Sequence, residues 1–280
     1  MSYTIAVAGK GGMGKTTIAA LIIESLKRQG KKPILAVDAD PNATLGDWLG
    51  IKCNCTVADI IEETKGLRNL PEGVSKPAHL EYQIQKTLVE TAGIDLLVMG
   101  RPEGPDCYCM ANNMLRGYVT ELAKSYPYIV IDNEAGMEHL NRKTTQNIDT
   151  LLIVSDPTRI GLRTTKRIKE LIDKLSFLVI KNKYLVLNKV QGNQSPQHPL
   201  SPLNPPLLRG VGEMGKGKGG LKNQIIELQE AIRDTGLNVL AEIPFNEELG
   251  KLELSGKPIS SLSPNSPLLV ATQSLITKLN

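Results

Sequence analysis

Continuous apolar runs recur along this chain, and most are followed by a stretch with helical spacing. Tyr3 to Ala8 reads as a buried strand, and Thr16 to Gln29 as a helix stopped by Gly30. Runs of the same kind occupy Pro33 to Val37, Asp95 to Met99, Tyr128 to Ile131, Thr150 to Val154, Tyr184 to Leu187 and Val239 to Ile243. Strands that are apolar along their length suit a parallel sheet covered on both sides. The pattern therefore predicts an α/β fold with a mostly parallel central sheet flanked by helices on both faces. The final run, Leu268 to Leu279, has Lys278 as its only basic residue and predicts a helix docked on the body. A helix lying on a membrane needs a more cationic face. Trp48 and Leu49, after the second strand, are expected in core or dimer packing.

The chain has 280 residues, 41% of them hydrophobic, enough for one large core. A single domain over 1–280 is expected. No stretch of eighteen apolar residues occurs, and no apolar run follows a basic region at the N-terminus. These features predict a soluble, cytoplasmic protein with no membrane partner. The net charge of +4 is unevenly spread: Arg209, Lys216, Lys218 and Lys222 stand against Glu213 alone between Gln191 and Lys222. That segment is rich in proline and glycine and has no aromatic residue, so it reads as a flexible insertion at about 191–222. Without aromatics to stack bases, no nucleic-acid partner is expected.

Candidate chemistry begins where the first strand ends. Gly9-Lys10-Gly11-Gly12-Met13-Gly14-Lys15-Thr16, followed by Thr17, matches G-x-x-x-x-G-K-[ST]. In such a loop glycines allow backbone N–H groups to cradle phosphates, the final lysine reaches the β- and γ-phosphates, and a hydroxyl ligates magnesium. The same letters spell G-x-G-x-x-G, with Asp38 where a ribose-binding acid could sit. Lys15 and Thr16 decide against a dinucleotide, because a pyrophosphate on a helix N-terminus needs neither, whereas a magnesium nucleoside triphosphate needs both. The fold expected is thus a P-loop NTPase.

Ligands of such a sheet gather at the carboxyl ends of its strands. The second strand delivers Asp38 and Asp40, either as a turn before Pro41 or as two working carboxylates. The fourth delivers Asp132, placed to orient magnesium-bound water. Gly136 follows and can swing its N–H to the γ-phosphate as a switch that moves Met137 to Arg142.

The third strand leads instead to Cys107 and Cys109. A C-x-C pair is open to three readings: small buried residues, a redox pair, or half of a four-thiolate metal site completed across a two-fold axis. Cys53 and Cys55 form a second such pair, with core thiols as the default and a metal or redox role as the alternative. His79, His139 and His198 share no ligand spacing. His139, beside the switch, is expected to act as hydrogen-bonded support.

With its early lysine, the loop G-K-G-G-x-G-K-T-T resembles the deviant phosphate-loop ATPases, the class of the nitrogenase iron protein and of the septum- and chromosome-positioning ATPases. Together with GRPEGPDCYCMANN and DNEAGMEHLNRKT, it is similar to the carbon monoxide dehydrogenase maturation ATPases, which assist nickel insertion. The similarity spans nearly the whole chain outside Gln191–Lys222. It implies ATP and Mg2+ as cofactors, with Gly11, Gly12, Met13, Gly14, Lys15, Thr16 and Thr17 binding phosphate and Gly136 sensing it. Asn188-Lys189 and Pro244-Phe245 would contact the base. Thr16 and Asp38 would serve the magnesium shell, Asp40 the attacking water, and Lys10 the partner's phosphates across a homodimer. Lys10, Lys15, Asp40 and Asp132 would carry catalysis. Cys107 and Cys109 would hold Ni2+ or Zn2+ between subunits for a client metalloenzyme such as a carbon monoxide dehydrogenase. A MinD- or ParA-like positioning ATPase acting on membrane or DNA, and a regulatory nucleotide-binding module, are the rival readings.

Overall fold

The computed structural model describes residues 2–66, 75–101, 121–134 except 123, 147–191 except 177, and 218–279. Eight strands form one sheet: β1 (Tyr3–Gly9), β2 (Ile34–Ala39), β3 (Val89–Glu90), β4 (Ile94–Val98), β5 (Tyr128–Asn133), β6 (Asn147–Ser155), β7 (Val179–Val190) and β8 (Asn238–Pro244). Their order is β3-β4-β2-β5-β1-β6-β7-β8, with every pairing parallel except β3 on β4. All seven strands expected from apolar runs are present. β3 is an addition. The sixth run, anticipated over four residues, is the inner part of the longer β7, whose first half carries polar residues and lies more exposed.

Helices cover both faces. On one side lie α1 (Lys15–Arg28), α2 (Leu45–Leu49), α7 (Glu247–Ser255) and α8 (Pro267–Thr277). Ile18, Leu21, Ile22 and Leu26 of α1 and Leu268, Leu275 and Ile276 of α8 share that core with Val7, Val130 and Val154 of the sheet. On the other side lie α3 (Val57–Gly66), α4 (Lys76–Gln85), α5 (Arg159–Asp173) and α6 (Lys218–Asp234), packed through Ile60, Ile84, Leu162 and Ile168 against Leu35, Ile131 and Leu185. Most of α1 beyond its first turn is buried, up to Leu26, so it is sandwiched between sheet and α8 rather than laid on a surface. It ends as expected at Gly30, where φ is +73° and the Lys31 N–H reaches back to the Leu26 carbonyl at 3.0 Å. The anticipated terminal helix is α8, and Trp48 and Leu49 pack half-buried against the same core.

Candidate nucleotide site

The glycine-rich loop runs from the end of β1 into α1, at the carboxyl edge of the sheet. Gly9 has φ +148°, and a Cβ there would overlap the Val154 carbonyl oxygen of the adjoining β6. Gly9→Ala is therefore expected to lower stability by about 2–4 kcal/mol, measured by denaturant unfolding. Unchanged stability would mean that β1 and β6 separate without cost. Gly12 and Gly14 are left-handed, with φ +77° and +86°. Gly14 caps α1 without a side-chain acceptor, and the first helical turn carries no acidic residue. The N–H groups at this helix start are left for an anion. Lys15 is only 6% exposed and opens the helix, whereas Lys10 stands exposed on the loop's outer rim. Thr16 and Thr17 follow, half-buried.

Two carboxylates line up beside the loop, because Asp38 of β2 and Asp132 of β5 are register partners and Val7 of β1 is the next neighbour of Asp132. Both are fully buried. Asp38 accepts N–H bonds from Leu45 (2.8 Å) and Asp40 (3.1 Å), which fold the β2–α2 connection around it. Burial outweighs those bonds and raises its pKa to about 6. Among the described residues neither oxygen of Asp132 has a hydrogen-bond partner. Burial pushes its pKa to about 7; the Thr16 hydroxyl and Lys15 pull the other way without closing a bond. Asp40 is half-buried, and its Oδ1 accepts from the backbone N–H (2.9 Å) and side-chain amide (2.8 Å) of Asn42, the turn arrangement that sequence left open.

The far wall comes from β7 and β8. Asn188 Nδ2 donates to the Met13 carbonyl at 2.8 Å and Lys189 Nζ to the Gly12 carbonyl at 3.0 Å. Both residues touch the loop itself, a contact sequence reasoning did not foresee. Pro244 pairs with Val190, and Phe245, 58% exposed, donates its N–H to the Val190 carbonyl. Asn133 was also missed: its buried amide ties β5 to β1 through the Val7 carbonyl at 2.9 Å. An N–H pair next to the strand-end aspartate was the available signal.

Gly136, Cys107, Cys109, His139, His198 and insertion residues 192–217 lie outside the described residues. Cys53 and Cys55 are half-buried rather than core thiols, and they pack against opposite faces of the sheet. Burial, with Asp59 and Glu63 nearby, raises the Cys55 pKa. His79 sits on α4 within 3.4 Å of the Gln83 amide. Among the described residues no group of three or more His, Cys, Asp or Glu side chains is placed to hold a metal ion. No described helix is long and apolar enough to cross a membrane.

Residues 2–185 match the family described as AAA domain. An uncharacterized ATP-binding protein of Methanocaldococcus jannaschii is 38% identical over 278 residues, covering 98% of this chain and 97% of its own. The carbon monoxide dehydrogenase accessory protein CooC of Rhodospirillum rubrum is 32% identical over 188 residues, covering 63% of this chain and 71% of its own. Among solved structures, the septum site-determining protein MinD of Pyrococcus horikoshii OT3, complexed with Mg-ADP, superposes with a TM-score of 0.65 at 20% identity, covering 100% of this chain and 96% of that one. That last likeness is one of fold.

Proposed function

We propose, from the premise that this chain belongs to the AAA domain family, that it is an ATPase that works as a metal-delivery maturation factor. The observation that carries the ATPase reading is the juxtaposition of an empty-handed helix start, Gly14-Lys15, with a buried carboxylate, Asp132, whose oxygens have no hydrogen-bond partner among the described residues. A buried unpartnered carboxylate is costly. A hydrated divalent cation bound with a triphosphate would satisfy it, so the residues fit Mg-ATP. Magnesium held there would neutralise charge that develops on the phosphates during transfer. Gly11 to Thr17 hold the phosphates, Lys15 reaches the terminal ones, and Thr16 and Asp38 face the cation. Asp132 would orient water in the shell of that cation, while Asp40, released from its Asn42 turn, would address the attacking water. Gly136 would report the γ-phosphate, Pro244 would frame the base, and Asn188 would stand against the phosphate loop.

The chain is read as a single ATPase domain with an inserted segment, working as a homodimer. Lys10 then acts in trans, and Cys107 and Cys109 of two subunits make a four-thiolate site for Ni2+ or Zn2+, the cargo for a carbon monoxide dehydrogenase-like client. Thiolates accept either ion; the sequence likeness to CooC, a carbon monoxide dehydrogenase accessory protein, favours nickel. Elemental analysis after size-exclusion chromatography tests this. About one metal per two chains is expected for wild type, and none for Cys107→Ser/Cys109→Ser. Full metal on a monomer overturns the shared site. The second reading, a positioning ATPase, is favoured by the fold likeness to MinD across the chain. It predicts ATP-dependent pelleting with liposomes or DNA.

A further inference from the structure

We infer that Lys189 is a positioning residue for the phosphate loop: with Asn188 it holds the carbonyls of Gly12 and Met13 outward and thereby fixes where the loop's N–H groups point. The inference deepens the ATPase reading and rests on it. Successive side chains of a regular strand face opposite sides of the sheet. β7 departs from this at its end, where its register against β8 shifts between Leu187 and Val190. Lys189, inside that shift, has φ +59°, a left-handed conformation that a lysine adopts only at a cost. Bulges of this kind re-aim side chains. Here two consecutive side chains reach two consecutive loop carbonyls, at 2.8 Å from Asn188 Nδ2 and 3.0 Å from Lys189 Nζ.

A trans peptide carries its C=O and N–H on opposite sides. Holding the Gly12 and Met13 carbonyls toward β7 therefore turns the N–H groups of Met13 and Gly14 away from β7, across the loop. The Met13 N–H already points at the Lys10 carbonyl, at 3.4 Å. That bond is long and weak, so a phosphate oxygen displaces it readily. No described residue lies within 4 Å of where a Gly12 Cβ would stand, so among the described residues side-chain packing does not hold that part of the loop. The ammonium of Lys189 reaches the Gly12 carbonyl from β7, across from the loop. Position in the sequence pointed Asn188 and Lys189 at the base; the bonds they make point at the phosphates.

The two ideas separate in equilibrium binding of Mg-ATP, and of adenosine by competition, to the full chain and to Lys189→Ala, Lys189→Gly and Lys189→Arg. Alanine and glycine are expected to weaken Mg-ATP about tenfold and to leave adenosine within about twofold, with arginine recovering most of the loss. Glycine adopts the left-handed conformation freely, so that variant should melt no lower than wild type and its loss is not unfolding. Wild-type Mg-ATP affinity in Lys189→Gly, or an equal loss toward adenosine, overturns the inference. Absence of Mg-ATP binding by the wild type overturns the ATPase reading and this inference with it, whereas normal wild-type binding with an indifferent Lys189 overturns this inference alone.

Discussion

Asp132→Asn is expected to give a protein that hydrolyses ATP at least about 100-fold more slowly and yet, without nucleotide at pH 8, is more stable than wild type. The carboxyl has an ordinary value of 3.8, raised in the fold to about 7, chiefly by burial. At pH 8 it is ionised in both folded and unfolded chains, and keeping the charge buried costs on the order of 4 kcal/mol. Asparagine removes the charge but leaves a buried amide without a partner, worth about 1–3 kcal/mol. A net gain of about 1–3 kcal/mol follows. The pH dependence has a definite sign. A carboxyl with a raised folded pKa favours the fold fully below the unfolded value, and that advantage is lost as pH climbs from about 4 to about 7. The variant lacks this slope, so its lead at pH 8 should shrink and reverse by about pH 5. Asp38, raised to about 6, slopes the same way in both proteins, and its neighbouring charge adds to the rise at Asp132. Denaturant titrations at the two pH values read this directly; a wild type more stable than the variant at pH 8 would show that the charge is already compensated.

Lys10→Ala should lower the turnover rate by about 1,000-fold while leaving Mg-ATP affinity within a few-fold. Lys15 is enclosed by its own loop and helix, but Lys10 stands on the exposed rim, and in the proposed homodimer it would meet the partner's phosphates. Mixing makes the test sharp. Lys10→Ala chains retain Asp132 and Asp132→Asn chains retain Lys10, so a mixed dimer contains one site with both groups. Two nearly inactive proteins should together recover about a quarter of wild-type activity, because half of the dimers are mixed and each has one competent site. No recovery, with dimers formed, would place Lys10 in its own subunit's site or in none.

Much of the architecture was readable because a strand buried on both faces must be apolar throughout, and seven such runs stand out. β3 was not, since Val89–Glu90 has no pattern of its own and exists through antiparallel pairing with β4. The loop residues and the two buried aspartates were legible from a motif and from their places after apolar runs. Lys189 and Asn188 were seen as positions but not as contacts. Which way they turn depends on a bulge produced by register against β8, a property of two strands that neither discloses alone. Asp40 shows the reverse: its bond to Asn42 is a local turn, visible in the letters D-P-N, whereas Asp132 has no hydrogen-bond partner among the described residues.

The last helix, α8, lies along α1, the helix that opens in the phosphate loop, so the first and last parts of the chain are packed together. During synthesis the apolar flank of α1 waits uncovered until residues 267–277 have emerged from the ribosome. Chains cut short before Pro267 would leave that apolar flank, and with it the support of the phosphate loop, uncovered.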